Sequence, residues 1–408
     1  MVGICLAILL AQKKINWSIT LIESFPLALS NKSAESISDT YQPSFDSRST
    51  AIAAGSKDIL EQSGIWKTLK NHVSEISKVH VSDKNHFGGS LIEAKDYDMH
   101  AVGYVVENAW FGKVLMAELS KYKNINIIAP ASVKKLTPQK NGYRIDIQSQ
   151  NDDSSFEKNT LDKKISINAE LTVIADGANS ALSQQIGIQV EEKNYHQHAL
   201  IANVECDKPH NGVAYERFTD QGPIALLPLC DSKNNNKTMA LVWTLPENNQ
   251  LLIDCDEGKF LEQLQNRFGF RQGHFVRVSQ RFQYPLKLQL AKEQVRRSLV
   301  LMGNAAHFLH PVAGQGFNLA LRDCYSLSAI LESASKQNGS IGDLNVLQQY
   351  IQAQHVDQLA TVSLSDNFVE WFSSSSATKS VLRNIGLLAL DALPGATPML
   401  AKRTMGLT

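Results

Sequence analysis

The chain has 408 residues and a mass of 45.1 kDa, enough for about two or three domains of ordinary size. Hydrophobic residues make up 43% and charged residues 20%, which excludes a disordered chain, a collagen-like fibre and a small disulfide scaffold. Forty basic residues balance forty acidic ones, so we expect no nucleic-acid partner. Five scattered cysteines without metal-ligand spacing predict reduced thiols in a cytoplasmic protein that binds no metal.

The amino terminus combines an apolar run with a short alternating segment. Val2 to Lys14 has helical periodicity and is shorter than the roughly 18 residues that span a bilayer, so we predict a buried helix. Ser18 to Glu23 predicts a strand. Gly3 and Glu23 lie about as far apart as the last glycine and the ribose-binding acidic residue of a dinucleotide-binding unit.

The rest of the chain alternates between strand-like and helical patterns. Ser49 to Leu69 predicts a helix interrupted at Gly64. The other predicted elements are two strands within 79–99, a helix at 109–121, strands at 125–128, 133–136, 143–148, 165–168 and 171–175, mostly strands over 191–284 with a helix at 260–268, a strand at 298–302, and helices to about 333, at 342–371 and at 378–393. This order predicts a dinucleotide-binding domain interrupted by a β-sheet domain, with a helical tail.

Two apolar strands end in small and polar residues. Leu171 to Ala175 ends at Asp176-Gly177, which favours a ligand site beyond the strand or, equally well, a plain turn. The strand at 298–302 leads through Gly303-Asn304 to Gly314-Gln315-Gly316, which opens a helix. Bare backbone amides at a helix start favour an electron-rich or anionic group, so we predict a ligand site there.

A third segment, S-F-D-S-R-S-T-A-I-A-A, carries Arg48 just before the predicted helix of small residues. A guanidinium in that place can hold a diphosphate with two parallel hydrogen bonds. Read alone, the segment favours a solvated arginine over a ligand-binding one. The order of all these motifs along the chain decides between the two interpretations.

In this order, the motifs resemble the FAD-dependent aromatic hydroxylases, with F-D-x-R, then D-G, then G-N-A-A-H-x-x-x-P-x-x-G-Q-G-x-N. Further segments resemble the 2-polyprenyl-6-methoxyphenol hydroxylase branch of ubiquinone biosynthesis: V-H-V-S-D-K, V-V-E-N, I-A-N-V, E-R-F-T, G-P-I-A-L-L-P and R-N-I-G-L. The resemblance implies an α/β fold with a Rossmann-like FAD-binding domain, an inserted mixed β-sheet substrate domain and C-terminal helices. It places the FAD-binding domain at 1–78, 109–190 and 285–340, the substrate domain at 79–108 and 191–284, and the helical region at 341–408.

The resemblance also implies the site residues. Glu23 would bind the FAD ribose, Arg48 would lie along the cofactor, and Asp176 would sit near the diphosphate and the nicotinamide path. The ribityl chain and flavin ring would contact a further set, with Gly3 as the last glycine of the first motif: Asn304, Pro311, Gly314, Gln315, Gly316 and Asn318. NADPH or NADH would reduce FAD, and O₂ would form the C4a-hydroperoxide that hydroxylates a polyprenylated phenol. No protein residue is singled out as catalytic.

Two departures from the pattern stand out. Asn304 occupies a position where many relatives carry aspartate, and it brings no charge. The strand and first two glycines that open the family's motif have no counterpart before Gly3. We expect a misplaced start codon in a longer gene rather than a shortened protein, which sequencing the native amino terminus tests.

The resemblance further implies membership of a ubiquinone-biosynthesis assembly and peripheral contact with the inner membrane. The apolar spacing of 381–393 fits core packing or such a contact. His307 and His310 show no partner that would make either a base, so we expect packing or hydrogen-bonding roles. Two alternatives stay open: a non-catalytic scaffold subunit, and a flavin reductase or hydroxylase acting on another aromatic or isoprenoid substrate.

Overall fold

The computed structural model describes residues 1–13, 15–27, 34, 48–84, 89–149, 163–230, 236–247, 251–309 and 314–372. Its helices are α1 (Val2–Ala11), α2 (Ala54–Gln62), α3 (Trp66–Leu69), α4 (Asn108–Leu119), α5 (Ala181–Gln185), α6 (Leu251–Asp254), α7 (Glu257–Phe268), α8 (Gln315–Lys336) and α9 (Leu344–Phe372). None of the helices in these ranges is both long and apolar enough to cross a membrane. The predicted helix at 378–393 lies outside the described residues.

The strands of the described residues lie in five sheets. They are β1 (Ile19–Ile22), β2 (Ser49–Ala53), β3 (Ser74–Ile76), β4 (Lys78–Asp83), β5 (Gly89–Glu93), β6 (Gly103–Glu107), β7 (Ile125–Ile128), β8 (Ala131–Gln139), β9 (Gly142–Ser149), β10 (Lys163–Ala169), β11 (Thr172–Ile174), β12 (Val190–Cys206), β13 (Val213–Phe218), β14 (Ile224–Pro228), β15 (Thr238–Pro246), β16 (Phe275–Val278), β17 (Phe282–Ala291), β18 (Val295–Arg296), β19 (Leu299–Leu301) and β20 (His307–Phe308).

Two small parallel pairs of strands lie outside the large sheet. Strand β1 pairs with β7, and β11 pairs with β19. Parallel strands of this kind are buried by helices, and α1 packs with its apolar residues against α4 and α8. Within the described residues the two pairs form separate sheets.

The large sheet has nine strands, in the order β20-β17-β12-β15-β14-β13-β4-β5 with β16 beside β12. Its outer face, which includes Tyr215, Leu226 and Trp243, is covered by α7 through Phe260 and Leu264. Its inner face packs through Ala214, Leu229 and Ala240 on residues from α2, β3 and β6. The alternation of side chains along each strand explains how one sheet builds both contacts. The domain boundaries drawn from the sequence stay a prediction.

One predicted element is wrong. Ser49 to Ala53 is a strand, β2, and not the first turn of a helix, which begins at Ala54. The reason is tertiary: β2 pairs along its whole length with β6, whose residues lie about fifty positions later. Arg48 therefore precedes a strand rather than a helix.

The described cysteines are all free thiols. Cys5, Cys206 and Cys324 are buried, while Cys230 and Cys255 are partly exposed. Desolvation raises the pKa of Cys5 to about 11 and that of Cys206 to about 12. Burial also holds the pKa of Cys324 well above its usual value.

Candidate functional site

The start of α1 lies between the carboxyl ends of β1 and β11. A Cβ atom added to Gly3 would lie 3.7 Å from Ala175 Cβ and 3.8 Å from Leu21 Cδ1. On the third side, a Cβ atom on Gly303 would lie 3.1 Å from Val2 Cγ2. The helix start, both strand ends and the loop after β19 therefore meet at one edge, where ligands bind in open α/β sheets.

Glu23 stands at the end of β1 and is held by its backbone. Its N–H donates to the carbonyl of Ile128, and its carbonyl accepts from the N–H of Ala131. The carboxylate oxygen Oε1 accepts from the Phe25 N–H and the Ser24 hydroxyl, each at 3.2 Å. The acidic group is thus presented beside the strand end, as binding a ribose hydroxyl requires.

Asp176 follows β11 at the same edge. Its Oδ2 accepts from the Ser180 hydroxyl at 2.8 Å, and Ser180 Oγ in turn accepts from the Ser183 N–H at the start of α5. Desolvation by nearby protein atoms raises the pKa of Asp176, while the Ser180 hydrogen bond opposes that rise. The side chain itself is exposed, so the carboxyl remains open to a ligand.

A second group of predicted residues is built around the start of α8. Asn318 Oδ1 accepts from the Ala53 N–H at 2.9 Å, and its Nδ2 donates to the carbonyls of Ala51 and Gly314 at 2.8 Å. One buried amide therefore joins α8 to β2. Ala51 and Ala53 were not predicted to contribute, because their role is carried by the backbone alone.

Gly314 needs to be glycine for two reasons. Its φ is +63°, in the left-handed region, and a Cβ atom there would lie 3.0 Å from Ala51 Cβ. Two residues later, Gly316 has no heavy atom within 4 Å of its would-be Cβ. The start of α8 is thus pressed against β2 on one side and open on the other, with no capping side chain.

The other predicted residues lie nearby or outside the described part. Asn304 is exposed in the turn Gly303–Ala305, Gln315 is buried, and Pro311 lies outside the described residues. Arg48 is one residue before β2, and its guanidinium lies 4.9 Å from the centre of the Tyr284 ring. Which of these residues touch a ligand stays a prediction.

His307 has the hydrogen-bonding role that the sequence analysis expects. Its Nε2 lies 2.8 Å from Asp323 Oδ2, and Gln358 Nε2 donates to the other oxygen of that carboxylate at 3.0 Å. His307 and Asp323 are both buried, so the pair ties the loop after β19 to α8 and α9. His310 lies outside the described residues, and within them no three metal-ligating side chains converge.

These groups fit an FAD molecule. A carboxylate at one strand end suits a ribose, an arginine before β2 suits a diphosphate, and uncapped amides at α8 suit an electron-rich ring edge. The open side at Gly316 leaves room for close approach. The geometry therefore agrees with the cofactor that the motifs imply.

Comparisons with known proteins agree with this assignment. The FAD binding domain family matches residues 35–355. The ubiquinone hydroxylase UbiL of Rhodospirillum rubrum is 30% identical over 368 residues, covering 89% of this chain and 80% of that protein. The 3-demethoxyubiquinol 3-hydroxylase of Escherichia coli is 28% identical over 395 residues, covering 96% and 92%. The crystal structure of p-nitrophenol 4-monooxygenase PnpA from Pseudomonas putida has a TM-score of 0.76 at 16% identity, covering 99% of this chain and 95% of that one.

Proposed function

The chain belongs to the FAD binding domain family, among the FAD-dependent hydroxylases of ubiquinone biosynthesis, and from this premise we propose that it hydroxylates the ring of a polyprenylated phenol. The observation that carries the proposal is the extent of the likeness, since UbiL aligns with 89% of the chain. The co-substrates are O₂ and NADPH or NADH.

The chain's own residues bind and position the reactants. FAD, when bound, supplies the redox chemistry with O₂ and the nicotinamide. Glu23 and Arg48 hold the cofactor's polar half, while Asn318 fixes the start of α8 against β2. The inner face of the large sheet, which packs beside the start of α2, would line the site of the phenol and help to exclude water from it.

A polyprenyl tail also bears on where the protein works. A substrate with a long apolar tail partitions into membranes, so we propose peripheral contact with the inner membrane from the cytoplasm. Association with other proteins of ubiquinone biosynthesis is a proposal of the same kind. Co-sedimentation with anionic lipid vesicles tests the first, and copurification of the tagged chain from cells tests the second.

The direct test is incorporation of oxygen into a ring. The purified chain is incubated with FAD, NADPH, ¹⁸O₂ and a short-chain prenylated methoxyphenol, and the product is analysed by mass spectrometry. We expect one labelled oxygen atom in the ring. Flavin bound without labelled product but with a reduced double bond indicates a reductase, and a chain that binds no flavin while sustaining ubiquinone synthesis indicates a scaffold.

A pair of glycine variants ties that activity to the start of α8. Gly314→Ala places a methyl group against Ala51, whereas Gly187→Ala has an equally positive φ, +73°, and no neighbour within 4 Å. Both changes carry the roughly 1 kcal/mol backbone strain of a left-handed residue. We expect Gly314→Ala to lose bound FAD and Gly187→Ala to keep it, as measured by flavin absorbance per chain.

A further inference from the structure

The first three residues of the motif E-R-F-T, 216–219, lie on β13, the third strand from one edge of the large sheet, and Thr219 directly follows it. Three of the four residues have clear structural roles. Arg217 points to the outer face, where its Nε donates to the Arg267 carbonyl at the end of α7. Phe218 is fully buried, and the Thr219 hydroxyl donates to the Gly222 carbonyl in the following turn. Glu216 has no comparable structural role.

Glu216 points to the inner face. It pairs with Ala225 on β14 and with Val81 on β4. Ala225 pairs with Val242 on β15, and Val242 pairs with Ile201 on β12. Directly paired residues share a face, so these five side chains form one row across the sheet, the inner row.

The side chains of the inner row are more exposed than those of the outer face. All five of its residues are partly exposed, whereas Leu226, Leu241 and Trp243 on the opposite face are fully buried. Four of the five are aliphatic, and Glu216 is the carboxylate among them. The row is therefore an apolar surface with one acidic group. An apolar ring with one ionisable hydroxyl would fit this surface.

The environment of Glu216 disfavours its charge. Desolvation, with no other contribution, raises the pKa of Glu216 from 4.5 to about 7, and its side chain has no hydrogen-bond or ion-pair partner among the described residues. Strand β14 carries no ionisable residue, and on β4 the ionisable side chain of the same face is Asp83, at the strand's end. Tyr284, beneath Arg48, lies four strands away.

The inner row lies next to the cofactor-binding part of the molecule. Ala214, two residues before Glu216 and about 7 Å away along the same face, packs in one cluster with Ala54. Ala54 directly follows Ala53, whose N–H is bound by Asn318 at the start of α8. The side chain of Glu216 is only partly exposed, and the protein atoms packed around it account for its desolvation.

We propose that Glu216 is the catalytic residue that accepts the proton of the substrate's phenol hydroxyl while the ring lies along the inner row. This inference rests on the proposed function. The phenol O–H bond breaks and an O–H bond forms on the carboxylate, with no change of oxidation state. The resulting phenolate is more electron-rich at its ortho and para carbons, which favours transfer of an electrophilic oxygen to the ring. The proton returns to the product or to solvent after each turnover.

The test compares two variants. Glu216→Gln keeps the shape of the side chain but accepts no proton, and Glu216→Asp keeps a carboxylate base on a shorter side chain. Glu262→Gln, an exposed change on α7, is the matched control. We expect the wild-type kcat for ¹⁸O incorporation to rise as pH increases through about 7, because the base must be ionised. Glu216→Gln should lower kcat about 100-fold and remove that rise, and Glu216→Asp should restore part of both.

A second measurement needs no substrate. In infrared difference spectra, wild type minus Glu216→Gln should show a protonated-carboxyl band that disappears with a midpoint near pH 7, while flavin absorbance per chain stays the same in both proteins. Equal rates and pH profiles in the two proteins, or no such band, overturn the role of Glu216 and leave the hydroxylase intact. A wild-type protein that hydroxylates no phenol at any pH overturns both.

Discussion

The outer and inner faces of the large sheet are built from the same strands but do different work. The outer face interlocks aromatic and aliphatic side chains with α7, and Trp243, Phe260 and Phe268 are almost fully buried there. On the inner face, the residues of the inner row stay partly exposed, and four of them are aliphatic while the fifth is a carboxylate. The outer face thus stabilises the sheet sufficiently that the inner face can keep an open, polar and unpaired group.

The largest effect that this comparison predicts is on the outer face. Phe260→Ala removes a fully buried ring beside Trp243 and should lower the free energy of unfolding by about 3–5 kcal/mol. Val356→Ala, at a side chain that is 72% exposed on α9, should change it by less than about 0.5 kcal/mol. Urea unfolding measures both, and similar losses in the two variants would contradict the assigned core.

On the inner face, a substitution should raise the free energy of unfolding instead of lowering it. The folded protein holds the Glu216 proton more tightly than the unfolded chain, so this group costs stability increasingly as pH rises from about 4.5 through about 7. Glu216→Gln should therefore raise the free energy of unfolding at pH 8 by up to about 3 kcal/mol, less what partial exposure recovers. The gain should vanish below pH 4, and a pH-independent difference would contradict the burial of the charge.

The junction of the inner face with α8 should give an intermediate effect. Asn318→Asp keeps the shape but replaces the donor to two carbonyls with a second acceptor, so it should cost about 1–3 kcal/mol and weaken FAD binding. Asn345→Asp, at an exposed position near the start of α9, is the matched control and should be nearly neutral. Flavin fluorescence titration and thermal unfolding measure the two consequences, and unchanged FAD affinity would separate Asn318 from the site.

The smallest expected effect on stability concerns an ion pair on α2, which lies on neither face of the large sheet. Lys57 and Glu61 form an exposed ion pair one turn apart on α2. Lys57→Met should lower stability by about 0.3–0.5 kcal/mol in dilute buffer and by less in 1 M salt, because exposed pairs are screened. Thermal unfolding at the two salt concentrations checks this. The result also shows how large the effect of an ordinary surface contact is, for comparison with the other three substitutions.

Much of the fold follows from local patterns, and the exceptions have a common cause. The helices α1, α7 and α8 and the strand β11 were predictable because their periodicity and end residues lie within each segment. The local pattern of Ser49 to Ala53 predicts a helix wrongly because its small residues suit either structure, and its partner β6 lies far away in the chain. The pairing of His307 with Asp323 has the same cause, because the sequence alone does not show that α8 packs against the loop that carries His307.

The candidate site divides in the same way. Gly314 and Asn318 stand in a motif that can be read directly, whereas Glu216 sits in a strand whose neighbours gave no chemical signal. The available hint was the motif E-R-F-T, in which alternation places Glu216 on the face opposite Arg217. Only the pairing with Ala225 and Val81 shows that the acid faces aliphatic neighbours without a counter-ion.

The buried cysteines have a consequence for the working life of the protein. An enzyme that consumes O₂ releases hydrogen peroxide whenever a turnover is not completed, and peroxide attacks thiolates rather than thiols. With pKa values of about 11 and 12, Cys5 and Cys206 are almost entirely protonated at neutral pH, and burial also raises the pKa of Cys324 well above its usual value. Cys5 in α1 and Cys324 in α8 belong to the helices that frame the nucleotide-binding edge. Their burial protects that edge from damage by the protein's own side product.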